Sequence, residues 1–378
     1  MITPDYYYII VGGGLAGLQL ALRLKQDIFF KGKKIAIIEP SSKSLNDKTW
    51  CFWEKGPGNW DHLVSKQWKK AYFISSELSK ELDLDPYVYK MINSLDFYEY
   101  AKKELEKTND IIFIQDKISK IDQVTRTAFG DKKKYTATHF FDSRPPHDFV
   151  KDHQTSLIHQ HFKGIKIKTE KDHFDPGSFT MMDYRVKYKD LCCFTYVLPT
   201  SKNEALIEFT FFSPSLTEES VYDDKLKEYI NSVLSIEQYE ILETEKGIIP
   251  MTDYPFHKSN SKYVTKIGTA GGWVKASSGY SFKNTETKLQ ILIQNIKSGL
   301  RPSANLFNKK FQFYDAIFLD VLESRNDLGE SLFSKFYTKN NIQDNFKFLD
   351  EETSFLQELK IMFSLYHPQF IKSFFKKI

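Results

Sequence analysis

Residues Asp5-Tyr-Tyr-Tyr-Ile-Ile-Val11 run directly into Gly12-Gly13-Gly14-Leu15-Ala16-Gly17. The first stretch reads as a short buried strand and the second as a glycine turn opening a helix, whose pattern continues through Leu18, Ala21 and Leu22 to Arg23 and Lys25. A second apolar strand, Ile35-Ala36-Ile37-Ile38, ends on Glu39. This strand–turn–helix–strand–acid unit has the physics of a dinucleotide site. Gly12 permits the tight turn, Gly14 lets backbone approach a pyrophosphate, and Gly17 allows close helix–strand packing. The pyrophosphate would rest on the free amides and positive dipole end of the helix. Glu39 is placed to accept hydrogen bonds from an adenosine ribose.

Working outward, the 378-residue chain is long enough for a large core, and two closely connected domains are expected. A net charge of +4 gives no nucleic-acid footprint, so no nucleic-acid partner is expected. The three cysteines, two of them adjacent at 192 and 193, have neither metal nor disulfide spacing. They read as buried strand residues in a reducing, cytoplasmic compartment. Histidines such as His62 and His257 lack ligand spacing, so no metal is expected. The N-terminus lacks signal-peptide architecture, and no apolar run reaches membrane-spanning length. Aromatic content is high at 15%, which fits either an ordinary aromatic core or an apolar tunnel.

The remaining pattern is mixed. A polar, Trp-rich loop region spans Asn46 to Trp68, followed by a helix from about Asp96 to Lys107 and a strand ending at Gln115. A hairpin, Ile118–Val124 with Tyr135–Phe141, ends at Asp142-Ser-Arg-Pro-Pro146. Residues 155–213 read as strands, and Ser215-Leu-Thr-Glu218 as a capping box opening a helix. A late glycine segment, Gly268-Thr-Ala-Gly-Gly272, precedes a helical remainder after Lys283. The expected organisation is a nucleotide-binding domain in residues 1–150 and 246–285, a β-rich substrate domain inserted at 151–245, and helices over 286–378. Two glycine segments so far apart suit an extended FAD better than a nicotinamide.

The segment Asn46-Asp47-Lys-Thr49-Trp50-Cys-Phe52-Trp53 is similar to the D-x-T-W-x-F signature of flavin-dependent lycopene cyclases of the bacterial and plant type. Further segments resemble that family in the same order: Gly12–Gly17, Phe141-Asp142-Ser-Arg144, Gly247-Ile-Ile-Pro250-Met-Thr252, Ala270-Gly-Gly272 and Ser277–Phe282. The endings Lys347-Phe348-Leu349 and Tyr366-His-Pro-Gln-Phe370 also resemble it, so the likeness spans the chain. It implies an FAD-binding Rossmann-like α/β fold of the glutathione reductase/hydroxylase type, with a β-rich substrate domain and a helical C-terminus.

The family's acid, a strand glutamate, maps onto Glu208 in Ala205-Leu-Ile-Glu208-Phe-Thr-Phe-Phe212. Period-two alternation puts Glu208 on one face with Leu206, Thr210 and Phe212. Buried there, its carboxyl would stay protonated near neutrality; on an edge strand it would be solvated and ionised. The resemblance implies the buried case and an intramolecular lyase (isomerase) reaction without net oxidation. The acid protonates a ψ end group of lycopene, the cation closes to a β-ionone ring, and a proton leaves, giving β-carotene via γ-carotene. Reduced FAD, with NAD(P)H as reductant, is implied as cofactor.

Asp47 is a second candidate for the catalytic machinery, or a turn cap. Asp142, Gly271 and Gly272 join Gly12, Gly14, Gly17 and Glu39 as candidate cofactor contacts, with backbone support the alternative for Asp142. Trp50, Phe52, Trp53, Trp273 and Tyr280 are candidates for the pocket lining, although any one of them taken alone is more often ordinary core. Trp273-Val-Lys-Ala and Lys283 depart from the residues common in the family. A water-insoluble substrate implies peripheral contact with the inner face of a membrane. Phe370–Ile378 has the composition of an interfacial anchor and of a packed terminal helix alike. A redox flavoenzyme (an aromatic hydroxylase or prenyl-chain reductase) and a non-catalytic prenyl-lipid carrier are the competing readings of the same fold.

Overall fold

The computed structural model describes residues 4–146, 149 and 155–378. The boundary expected at residue 150 lies outside the described residues. The chain begins as β1 (Tyr6–Val11), α1 (Leu15–Gln26), β2 (Ile35–Glu39), β3 (Thr49–Lys55), β4 (Lys66–Trp68), β5 (Lys70–Ile74), β6 (Ser79–Asp83) and β7 (Tyr87–Asn93). It continues as α2 (Ser94–Leu105), β8 (Ile111–Gln115), β9 (Ile118–Asp122), β10 (Thr127–Gly130) and β11 (Lys134–Asp142). The middle third is β12 (Leu157–Lys168), β13 (Ser178–Asp183), β14 (Cys193–Pro199), β15 (Glu204–Ser213), α3 (Glu219–Glu228) and β16 (Glu240–Thr252). After β17 (Val264–Lys266) come α4 (Phe282–Lys297), α5 (Lys309–Ser324), α6 (Gly329–Lys339), α7 (Ile342–Leu349), α8 (Phe355–Ser364) and α9 (Pro368–Lys377).

Among the described residues, two seven-stranded sheets carry the fold. The first runs β8-β2-β1-β11-β10-β9, with β17 paired to β11. Its strands β8, β2, β1, β11 and β17 are parallel and its β9–β10–β11 meander antiparallel. Alternation explains the burial on both faces: Tyr8, Ile10 and Ile37 pack with residues of α1, α2 and α4, while Ile9, Val11, Ala36 and Ile38 face the meander. The hairpin expected from sequence is thus three strands, with Thr127–Gly130 inserted between its arms.

The second sheet runs β16-β12-β15-β14-β13-β5-β6 and is antiparallel except at β13–β5. One face packs Ile207, Phe209 and Phe211 against α3, and the other looks toward the C-terminal helices. Two of its strands, β5 and β6, come from the segment expected to belong to the nucleotide domain, and β16 runs unbroken across the boundary expected at 245/246. The region expected to be a Trp-rich loop forms β3 and β4, which flank β7 in a small third sheet.

The capping box expected at Ser215 does not form. The Ser215 carbonyl instead accepts from the Ser213 hydroxyl and lies within bonding distance of the His161 ring, so α3 starts four residues later, at Glu219.

Candidate active site

The first turn of α1 is open. No side chain caps it and no acidic residue occupies it, so its amides point free from the helix end. Gly12 takes φ +109° and a Cβ there would sit 1.9 Å from the Ser143 hydroxyl, which is bonded to the Val11 carbonyl. At Gly17 a Cβ would fall 2.1 Å from the Gly12 carbonyl oxygen, whereas at Gly14 it would meet nothing. Gly17 therefore fits helix to strand, and Gly14 leaves space in front of the turn. Glu39 at the tip of β2 accepts from the Gly13 amide (2.7 Å) and from the Ser41 amide and hydroxyl (3.1 and 2.8 Å).

The late glycine segment converges on this turn. Gly268, with φ +60°, would place a Cβ 3.2 Å from that of Ala16. A cavity of about 310 Å³ opens between them, bordered by Gly14, Gly17, Asp47, Trp50, Gly268 and Trp273, among others. Gly268 and Thr269, rather than Gly271 and Gly272, supply the late segment's border. Gly271 is pressed against the Lys266 carbonyl, and Gly272 ends the turn in a left-handed conformation beside a neighbouring cavity. The buried Trp273 indole N–H has no hydrogen-bond partner.

Asp142 has no free oxygen for a ligand. Arg144 clamps it through Nε (2.8 Å) and Nη2 (3.0 Å), and Lys266 Nζ lies at 2.8 Å. Burial works to raise its pKa, but these two cations outweigh it and hold the carboxylate below its ordinary value. The group ties β11 to β17 and is structural, which corrects the expectation of a cofactor contact. Its place next to the cavity-lining Ser143 could not reveal this from sequence.

Asp47 borders the cavity and accepts from Tyr98 (2.9 Å) and Ser94 (3.1 Å), with Lys43 at 3.6 Å. Burial pushes its pKa up, yet the two hydroxyls and the lysine prevail and keep it low. It is an ionised group and no proton donor near neutrality.

Glu208 has the opposite character. β15 is an inner strand of the second sheet, so the solvated-edge alternative is excluded, and Glu208 is only 8% exposed. In register it sits between Tyr196 on β14 and Gly164 on β12. Its face, with Thr210, Phe212, Phe162, Phe194 and Tyr196, floors an aromatic cavity of about 150 Å³. Burial, and then the neighbouring carboxylate of Glu245 on β16, push the Glu208 carboxyl well above the ordinary range. Over this floor the hydroxyl of Tyr196 donates to Tyr89, which is bonded in turn to Tyr280, both at 2.8 Å.

Of the aromatic residues expected to line the pocket, Trp50 borders both cavities and Tyr280 the Glu208 cavity. Trp273 borders the cavity at α1 only. Phe52 and Trp53 line neither: Phe52 stacks on Phe282 and Trp53 on Phe346, each at 4.4 Å, and the Trp53 indole donates to Asp350. Sequence reasoning missed Glu245, Gly164, Tyr89 and Tyr196. Only the spacing of glutamate before Gly247-Ile-Ile-Pro250 could have pointed to Glu245. The two cavities share Thr49, Trp50, Phe162, Ile249, Gly279 and Ser281, so Glu208 lies one wall away from the glycine turns.

Comparison with known proteins gives the same architecture. A geranylgeranyl bacteriochlorophyll reductase-like protein from Thermoplasma acidophilum matches at 12% identity over 99% of both chains, with a TM-score of 0.61. The flavin-dependent brominase Bmp2 matches at 12% identity over 91% of this chain and 93% of its own, at 0.59. A flavin-dependent halogenase from Xanthomonas campestris matches at 9% identity over 98% and 92%, at 0.62. The fold is the FAD-binding Rossmann-like one with a β-rich second layer and a helical C-terminus. No curated protein matches the chain significantly. The family model described as lycopene cyclase protein matches residues 8–373, nearly the whole length. The chain belongs to the lycopene cyclase family.

Proposed function

We propose that this enzyme closes the ψ end groups of lycopene into β-ionone rings, giving β-carotene via γ-carotene, by acid catalysis without net oxidation. One observation carries the reading: Glu208, whose carboxyl is pushed well above its ordinary range by burial and by Glu245, faces an aromatic cavity that shares a wall with the cavity at the open helix N-terminus.

The residues at that helix end fit FAD. The uncapped first turn of α1 and the open space at Gly14 would hold a pyrophosphate. A carboxylate has about four acceptor positions, so Glu39 keeps capacity for a ribose hydroxyl beside its bonds to Gly13 and Ser41. Trp273, which borders the same cavity, carries an unpaired N–H donor. Bound there in reduced form, with NAD(P)H as the source of its electrons, FAD would supply a negative charge that favours a cation.

Glu208 gives its proton to the terminal double bond. The faces of Phe162, Phe194, Phe212 and Tyr196 stabilise the resulting cation, and their apolar surface keeps water from capturing it. The cavity, near the roughly 150 Å³ of an engineered site that binds benzene, takes one end group at a time. Asp47, ionised and tied to Tyr98, orients groups at the shared wall.

A membrane supplies the substrate. Phe355, Leu356, Phe363, Phe375 and Ile378 on α8, α9 and the terminus are exposed beside Lys360, Lys372 and Lys376, the composition of a surface that rests on an anionic leaflet. No described helix is long and apolar enough to cross a membrane. We place the enzyme peripherally at the cytoplasmic, inner face.

Expression in a lycopene-accumulating bacterium tests the function. Pigment chromatography is expected to show cyclic carotene; retained red lycopene alongside soluble, flavin-loaded protein would overturn it.

A further inference from the structure

Glu208 does not stand alone on its face of the sheet. In the register of β12, Gly164 lies opposite Glu208 on β15 and opposite Glu245 on β16. The three residues form one cross-strand row, with the glycine in the middle. A Cβ at Gly164 would come 2.8 Å from Glu208 Cγ and 3.2 Å from Glu245 Cγ. The missing side chain leaves the space over Gly164 to the two carboxyl groups, each of which bears on the other's protonation. Any larger residue there would force them apart. Glu245 is also tethered from outside the sheet, accepting from the Thr49 hydroxyl at 2.8 Å. Glu208 borders the aromatic cavity and Glu245 the cavity at α1, so the pair spans the wall between them.

We infer that Glu245 is a positioning residue for the acid: it holds the proton of Glu208 in a shared carboxyl–carboxylate hydrogen bond over Gly164, and keeps Glu208 loaded between turnovers. The inference rests on the acid role proposed for Glu208. Two carboxyl groups in contact resist double ionisation, so the pair retains one proton at a pH where an isolated glutamate would have lost it. In turnover the Glu208 O–H breaks as a C–H bond forms at the inner carbon of the terminal double bond, and the neighbouring double bond attacks the resulting tertiary cation to close the ring. A ring proton then returns to the Glu208 carboxylate. The substrate neither gains nor loses electrons, and the pair ends with the proton it began with.

Other groups around the pair are weaker influences. Tyr196 on β14, Cys51 on β3 and Tyr280 before α4 face Glu208, and all three are held neutral by burial. Glu243 on β16 and Lys48 face Glu245 with opposing effects.

The test is the isosteric variant Glu245→Gln. Cyclisation needs protonated Glu208 and is lost as pH rises through its pKa. Removing the neighbouring charge lowers that pKa, so the descending limb is expected to move to lower pH by about one unit or more. Glu245→Asp, which keeps the charge, is expected to return the limb toward wild type. A purely structural role would lower the rate at every pH and leave the limb in place, which would overturn the inference. Infrared titration of the protein alone reads the same shift without turnover, using the protonated-carboxyl band that Glu208→Gln removes. If that band titrates at the same pH in wild type and Glu245→Gln, the pairing is wrong. If the band shifts while wild type leaves lycopene acyclic, the proposed function fails and the pairing stands.

Discussion

The turn at Gly12–Gly17 and the row Glu208–Gly164–Glu245 are both built around glycine, for opposite reasons. At the turn, the glycines let backbone approach backbone: a Cβ at Gly17 would fall 2.1 Å from the Gly12 carbonyl oxygen, too close for any side chain. In the sheet, Gly164 lets two acidic side chains approach each other. The turn is made from one continuous stretch and presents dipoles outward. The row takes one residue from each of three strands and withdraws acids from water. In the function proposed, local backbone geometry would serve anion binding and sheet register would serve proton chemistry.

Substitutions separate the two regions. The largest effect is expected for Glu208→Gln, which removes the acid without changing shape: cyclisation should fall by roughly 10²–10⁴-fold, the usual worth of a positioned general acid. Flavin retention, read by absorbance of the purified protein, should be unchanged. Full activity in that variant would move the acid elsewhere. Gly17→Ala should do the reverse. Its Cβ meets backbone that cannot swing away, costing about 1–3 kcal/mol in denaturant melts and weakening flavin retention; an unaltered melt and flavin content would break the contrast. Gly164→Ala should have the smallest effect on stability, nearer 1 kcal/mol, because the Cγ atoms it meets belong to side chains that can rotate. It should slow cyclisation while leaving flavin bound, and loss of flavin in this variant would show that the two regions are not separable.

The same contrast explains what could be read early. The first turn was legible because each glycine's reason lies within a few residues of it. Glu208 was legible as far as its own face, since period-two alternation gives Leu206, Thr210 and Phe212 as companions. Phe52 and Trp53 carry no mark of their true partners, since Phe52 stacks on Phe282 and Trp53 on Phe346, residues distant in the chain. Asp142 carries no mark of its ion pairs, since Lys266 arrives from a distant strand. Gly268 and Gly272 look alike in the chain, and only the packing on Ala16 distinguishes the one at the cavity.

By itself the sequence determined a nucleotide-binding turn, an acid on an apolar strand face and a family, because each of these is encoded in neighbouring residues or in short-period alternation. Tertiary structure alone decided that burial and the nearby Glu245 push the Glu208 carboxyl above its ordinary range, and that the two cavities share a wall. Those depend on which strands lie side by side, and strand order is set by contacts between residues far apart in the chain.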